Sequence, residues 1–391
     1  MFSNLVPSDR AATYYGSEDE GGEQVDQKTL ALIEKAYQTL RGKKSGSLLK
    51  KYLTPKVFED IKRHVTSNGG TLLDVINSGV ANPDSSIGIY APDADSYYRF
   101  QELFDPIIKE YHEILGGHIS HPPVNYSDGH SLGDFNNYGD YVISTRVRCA
   151  RNLEGYPFNP LLTKDQYSEL EQDIGAALDT LDGDLAGYYK PISDMSKEDI
   201  AELMDQHLLF EQGDRFLEAA NACRFWPDGR GIFLNSDSTL VVWVNEEDHM
   251  RIISMQKGGD LDQIYKRFVS ATTHLANVLS FSHSNKYGFL TFCPTNLGTA
   301  IRASVLIKLP HLLKDSQVLE ETADKFNLQV RGTHGEHSDA EGGVFDISNR
   351  RRLGLTENEV MMEMYSGILE IITLEKRLEH AKADKSHKKR T

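Results

Sequence analysis

Residues 240–260 read LVVWVNEEDHMRIISMQKGGD. An apolar run, Leu240-Val241-Val242-Trp243-Val244, leads into three consecutive acids, Glu246, Glu247 and Asp248. A second strand-like run leaves from Arg251 to Met255, and Gly258-Gly259-Asp260 closes the unit and opens a helix. Short runs rich in Val, Ile and Trp read as strands joined by a turn. Carboxylates crowded at a strand end must face solvent, cations or a cationic ligand. Taken plainly this is a polar hairpin turn in water. The alternative is a site that uses the acids.

At 391 residues the chain is long enough for two domains, and its net charge of -16 argues against a general nucleic-acid surface. A local basic pocket remains compatible with that charge. The three cysteines, Cys149, Cys223 and Cys293, are far apart and odd in number. They fit reduced thiols in a cytoplasmic protein, with neither a disulfide framework nor zinc spacing. The N-terminus has no apolar core for a signal peptide and is too acidic for a transit peptide. Phe2 excludes a myristoylation signal, and no apolar run spans a bilayer, so no membrane partner is expected.

The pattern along the chain is α+β. Residues 1–25 read as a flexible polar leader. Residues 26–115 read as a small all-helical domain: Leu30, Leu32, Ile33, Ala36 and Leu40 recur at helical spacing, and Thr54-Pro55 opens a further helix. Helices are also expected from Thr71 and from Tyr98 to Leu115. Residues 116–139, rich in Gly, Pro, Asn and Ser, read as a linker. Residues 140–380 mix strands and helices: strands at Tyr141–Arg148, Gly231–Leu234, Leu240–Val244, Arg251–Met255, Gly288–Phe292, Ala300–Leu309 and Val344–Ile347. Capping boxes at Thr163, Ser196 and Thr356 start helices, the last running to about Ala381. Residues 381–391 form a basic tail expected to fray. Short antiparallel strands with helices grouped between them predict a larger C-terminal domain whose sheet is mainly antiparallel and flanked by helices.

Arginines recur on or beside these strands. Arg146 and Arg148 are two apart and so share a sheet face. Arg251, Arg302 and Arg331 lie on or next to other strands. One such arginine is ordinarily a solvated or paired surface residue, but five on elements of one sheet suit a polyphosphate, which Arg binds in a planar fork. The standard phosphate loops and kinase signatures are missing from the sequence. Cys293-Pro294-Thr295-Asn296-Leu297-Gly298-Thr299 lies between two strands. Its cysteine is either a small buried apolar residue or a polarised thiol, with a thiolate favoured by cations and hydroxyls nearby. Residues 332–343 carry glycines at both ends and polar residues between them, as a solvated connection or a closing lid would.

Together CPTNLGT, residues 243–260, Ser144-Thr-Arg-Val-Arg148 and residues 331–343 resemble a phosphagen (guanidino) kinase, and the resemblance spans about residues 27–375. Tyr156–Pro160 and Gly213–Trp226 resemble the family as well. Gly335-Glu336-His337 and the short loop Asp84–Tyr90 resemble arginine kinases more than creatine kinases. The resemblance implies that Arg146, Arg148, Arg251, Arg302 and Arg331 hold the nucleotide and the transferring phosphoryl, with His207 and Asp346 on the nucleotide side. It implies that Glu247 and Glu336 grip the guanidinium and that Cys293 lies beside the reacting nitrogen. Ser85, Ile87, Gly88 and Tyr90 would receive the amino-acid end of the substrate, and Asp84–Arg215 would link the domains. No metal ligand is assignable among side chains. Mg²⁺ would come with ATP or ADP, with Glu246 acting through water.

The sequence departs from the family pattern in three places: Leu306 where a His is expected near the adenine, His334 where many arginine kinases have Arg, and Ser86 for a usual Gly. The expected reaction is reversible transfer from MgATP to L-arginine, with small molecules as the only partners and a monomer as the default state. Kinases of taurocyamine, glycocyamine or lombricine are the first alternatives. A silent guanidine- or nucleotide-binding module and a protein-arginine kinase are others.

Overall fold

The computed structural model describes residues 25–114, 116–126, 132–332 and 341–388. The N-terminal part is helical: α1 (Gln27–Gly42), α2 (Leu48–Tyr52), α3 (Pro55–Ile61), α4 (Leu72–Ala81), α5 (Ser96–Arg99) and α6 (Gln101–Tyr111). Their starts follow from the sequence. Asp26 accepts from the amides of Lys28 and Thr29, Thr54 accepts from Val57 with Pro55 in the first turn, and Thr71 and Asp74 form a capping box. One long helix was expected from Tyr98; it breaks at Phe100 into α5 and α6.

The C-terminal part is an eight-stranded sheet in the order β2-β3-β4-β5-β1-β8-β10-β9. Its strands are β1 (Val142–Arg151), β2 (Gly187–Pro191), β3 (Gly231–Asn235), β4 (Leu240–Val244), β5 (Met250–Lys257), β8 (Ile301–Lys308), β9 (Leu328–Arg331) and β10 (Val344–Asn349), and each pairing is antiparallel. Two short strands, β6 (His283–Ser284) and β7 (Gly288–Phe289), form a separate hairpin. The helices are α7 (Lys164–Leu178), α8 (Lys197–Asp205), α9 (Arg215–Ala219), α10 (Leu261–Val278), α11 (Ser316–Asp324) and α12 (Glu357–Lys388). The boxes at Thr163 and Ser196 cap α7 and α8, and Thr356 with Glu359 caps α12. That last helix continues to Lys388 instead of ending near Ala381.

The period of two sorts the sheet into unlike faces. Val147, Cys149, Ile252, Ile301, Ala303, Val305, Ile307 and Ile347 point into one large core with α7, α10, α11 and α12. Burying that apolar face is the dominant favourable term of the fold. Residues between them on the strands, including Arg146, Arg148, Arg302 and Asp346, point the opposite way.

The two lobes interlock. The core of the helical lobe contains Tyr287, Leu290, Phe292 and Leu297 from the segment around Cys293, as well as Phe158, Ala220 and Leu353. Of the expected linker, residues 116–126 and 132–139 are described: Ile119 packs into the core of the helical lobe, Phe135 into that of the sheet, and the Phe135 amide bonds the Gly259 carbonyl at 2.7 Å. On the other side α4 meets α9: Ser78 Oγ donates to the Phe216 carbonyl and Asn77 Nδ2 to that of Ala219, both at 2.8 Å. Asp84 and Arg215 add a two-pronged, solvent-exposed ion pair. A pair this exposed contributes mainly orientation.

Gly79 of α4 lets the loop of residues 82–90 lie directly on the helix, since a Cβ there would stand 2.2 Å from the Gly88 carbonyl oxygen. Gly79→Ala should therefore push that loop off α4. The expected cost is about 1–3 kcal/mol, read as a lower urea midpoint at unchanged slope. An unchanged midpoint would show that the loop shifts freely.

Candidate active site

The loop between β4 and β5 is built as an interior feature. Asn245 takes a positive φ of 55°, which Asn tolerates, and its amide reaches the His249 carbonyl at 2.9 Å. Asn159 Nδ2 donates to the carbonyls of Glu246 and Glu247 at 2.7 and 3.2 Å. His249 is fully buried, accepting from the Leu153 amide on Nδ1 and meeting the Pro157 carbonyl with Nε2. The solvated-turn alternative is thus excluded: the acids are held inside the protein.

Each acid has a different environment. Asp248 is 3% exposed, and its Oδ1 accepts from Asn152 Nδ2 at 2.6 Å and from the Phe292 amide at 2.7 Å. It ties the acid loop to the residue before Cys293. Glu246 and Glu247 both meet Arg251, with Nη2 at 3.0 Å from an oxygen of each. Burial pushes the Glu247 carboxyl up to about 7, with Arg251 pulling it down and Asp248 and Glu246 pushing it further up. Burial likewise raises Asp248, to about 6.

Arg251 begins the polar face of the sheet. In register it lies opposite Ala150 of β1; two residues earlier on β1, Arg148 faces Arg302 of β8, and Arg146 follows on the same side. Asp346 faces Leu306 on β8 and Arg331 on β9. All five arginines expected from the sequence therefore share one face, and Arg302 donates to Asp346 at 2.9 Å. Trp243 shares this face, opposite Arg251 in register, with its ring 5.8 Å from the Arg146 guanidinium and 5.3 Å from that of Arg251. Its Nε1 donates to the Leu208 carbonyl at 2.7 Å, and the preceding residue, His207, is exposed. Arg146, Arg148, Arg302, Ser304 and Asp346 line a small open pocket.

The arginines crowd one another. Burial lowers Arg146 to about 10 and Arg148 well below the ordinary arginine value, and in both cases the neighbouring arginines lower it further. Arg146 Nε is buried with no hydrogen-bond partner among the described residues. Buried donors and uncompensated positive charge favour an anion with several oxygens.

Opposite the acids lies the Cys293 turn. Tyr90 of the 82–90 loop stacks on Phe292 with centroids 4.5 Å apart, and the Ala91 amide donates to the Phe292 carbonyl at 2.8 Å. Cys293 Sγ lies 3.0 Å from Thr295 Oγ1. The expected hydroxyl is present, but the expected thiolate is not favoured by the protein alone: burial and the Glu247 charge push the thiol up to about 12, and Thr295 only partly opposes them. Ser85 Oγ accepts from the Gly88 amide at 3.0 Å, Ile87 is buried, and the carbonyls of Ser86 and Ile87 accept from the Leu48 and Leu49 amides of α2. The Ser86 side chain is exposed. Glu336 and His334 lie outside the described residues. Among the described residues no group of three or more His, Cys, Asp or Glu is arranged to hold a metal ion.

Asn152, Asn159 and Trp243 are parts of this site that the sequence did not assign. Asn159 lies in a segment that carried the family resemblance, and Trp243 begins the stretch of acids. Asn152 carried no sequence signal.

The same arrangement of segments is found in known proteins. Residues 43–109 match the N-terminal domain of ATP:guanido phosphotransferases, and residues 169–378 match their C-terminal catalytic domain. Arginine kinase of Plodia interpunctella is 56% identical over 90% of this chain and all of its own, and that of Limulus polyphemus is 57% identical over 90% and 99%. A solved structure of the duplicated taurocyamine kinase from Schistosoma mansoni superimposes with a TM-score of 0.84 at 42% identity. The match covers 91% of this chain and 49% of that one, so the present chain spans about half its length. A lombricine kinase structure matches with a TM-score of 0.80 at 36% identity, over 86% and 94% of the two chains. The protein belongs to the ATP:guanido phosphotransferase, or phosphagen kinase, family.

Proposed function

We propose that the protein is an arginine kinase, which transfers the γ-phosphoryl of MgATP reversibly to the guanidino group of L-arginine. The observation that carries this reading is Arg251, which belongs to the arginine face yet is shared by Glu246 and Glu247. It joins a polyphosphate site to a carboxylate facing the Cys293 turn. Near-full-length relatives named arginine kinase, at 56–57% identity, support arginine over the taurocyamine and lombricine of the structural relatives, at 42% and 36%.

Arg146, Arg148, Arg251, Arg302 and Arg331 would hold the phosphate oxygens, with His207 and Asp346 bordering the nucleotide. Mg²⁺ would enter with ATP as part of the substrate and supply charge neutralisation at the phosphates, and Glu246 would be the carboxylate to hold it through water. Phosphoryl transfer needs alignment and charge neutralisation more than covalent help. A guanidinium is protonated and delocalised, so it must be oriented and must lose a proton as the N–P bond forms. Glu247, raised to about 7, is matched to take that proton near neutral pH. Glu336 would grip the other edge. The arriving guanidinium brings positive charge between Cys293 and the Glu247 carboxylate that pushes its thiol up. Ser85, Ile87, Gly88 and Tyr90 would receive the amino-acid end. The free cysteines fit a reducing, cytoplasmic compartment, and we take the monomer as the working unit.

A coupled assay with MgATP against L-arginine, taurocyamine, glycocyamine, lombricine and creatine should show arginine as the best substrate. Glu247→Gln and Cys293→Ala should each lose on the order of 10²- to 10³-fold in kcat. A better substrate in the panel would replace arginine in this reading. On the acid side, kcat/KM for arginine should fall below about pH 7 as Glu247 protonates. An acid limb near the ordinary carboxylate value would remove Glu247 as the base.

The same burial has a stability consequence. With Glu247 raised from 4.5 to about 7, the native state binds a proton more tightly than the unfolded chain, so its contribution falls as pH rises through that window. Glu247→Gln should therefore gain Tm relative to the parent on going from pH 5 to pH 8, by calorimetry. An equal difference at both pH values would contradict a buried charge cost at this position.

A further inference from the structure

Arg352, in the segment between β10 and α12, holds the Cys293 turn at its middle and at its far end. Its Nη1 donates to the Thr295 carbonyl at 2.8 Å and to Asn296 Oδ1 at 2.6 Å. Its own carbonyl accepts from the Thr299 amide at 2.9 Å. The approach is so close that a Cβ on Gly298 (φ +93°) would stand 2.0 Å from the Arg352 oxygen. This explains the glycine of CPTNLGT: it is the residue over which the Arg352 backbone passes. Arg352 is half-buried, and its Nε is buried with no hydrogen-bond partner among the described residues. Burial lowers its pKa, whereas the Glu247 carboxylate helps to hold it up and Arg331 lowers it further.

We propose that Arg352 is a positioning residue for the phosphoryl transfer, fixing the Cys293 turn through Thr295, Asn296 and Thr299 and bringing a guanidinium onto the turn that carries the thiol. This rests on the arginine kinase reading for its substrate, but the clamp itself does not depend on it. The two functions of Arg352 separate by substitution. Lysine keeps a positive charge and loses the planar fork that meets two acceptors at once. Methionine loses both. Because a displacement of about 1 Å at a reacting group can cost roughly 100-fold, losing the clamp should act on turnover even though Arg352 touches neither substrate.

The experiment measures two quantities on the full chain, for the parent, Arg352→Lys and Arg352→Met. The first is steady-state kinetics with MgATP and L-arginine. The second is the pH profile of Cys293 alkylation by iodoacetamide without substrates, read by mass spectrometry of the Cys293 peptide so that Cys149 and Cys223 do not interfere. Arg352→Met should lower kcat about 100-fold, leave the KM for MgATP within about twofold, and move the alkylation profile to higher pH. Arg352→Lys should also lower kcat but keep the alkylation profile near that of the parent. A kcat for Arg352→Met within about threefold of the parent would overturn the proposal, as would a KM for MgATP that rises as steeply as kcat falls. If Arg352→Met does not fold, Asn296→Ala removes one acceptor of the same clamp. It should lower kcat without moving the alkylation profile, and an unchanged kcat there would also overturn the proposal. A parent inactive on arginine but with the expected shift in alkylation would sink the substrate reading and leave the clamp standing.

Discussion

Arg251 shared between Glu246 and Glu247 is the interaction on which the site depends. Three charges are withdrawn from water together, and each is tolerated only because the others are there. Remove the acids and Arg251 joins a row of arginines that already depress one another; remove Arg251 and two buried carboxylates face each other. The arrangement also fixes the sense of the site, since it puts negative charge on the side of the Cys293 turn and positive charge on the side of the pocket lined by Arg146, Arg148 and Arg302. On the proposed reading, a guanidinium and a polyphosphate would find complementary charge before either arrives.

Such a face is a burden on stability, and the opposite face of the same sheet offsets it. The strands that carry the arginines outward carry Val147, Cys149, Ile301, Ala303, Val305 and Ile307 inward against four helices. Because side chains alternate along a strand, no extra element is needed to support the charged side. The rigid apolar layer holds the guanidinium groups close together at distances they would not choose in water.

The second organising feature is that the Cys293 turn belongs by packing to the helical lobe. Phe292 and Leu297 lie in that lobe's core, Tyr97 donates to the Thr291 carbonyl at 2.6 Å, and His112 meets the Pro294 carbonyl at 2.9 Å. Asp248 then joins this turn to the acid loop. The thiol, the acids and the loop of Ser85 to Tyr90 are thus positioned by one connected set of contacts that crosses between the lobes. Alignment across that boundary is what a reaction without covalent help from protein requires.

By itself the sequence determined what is local. Alternation put Arg146 and Arg148 on one face; caps at Thr54, Thr163, Ser196 and Thr356 set helix starts; the α+β division followed from where periods of two and of 3.6 occur. Motifs carried by resemblance named Arg146, Arg148, Arg251, Arg302 and Arg331, which the strand register puts on one face. The short elements α2, β2 and β9 were not legible, because a few residues hold too little periodic signal and owe their form to neighbours such as the 86–87 carbonyls that receive α2. Only the tertiary structure decided that the acid loop is buried rather than solvated, that the Cys293 thiol lies beside a carboxylate, and that Asn152, Asn159 and Arg352 hold the site together. Burial and charge environment depend on residues a hundred or more positions away, as with Asn152 and Leu290, and no local pattern records them.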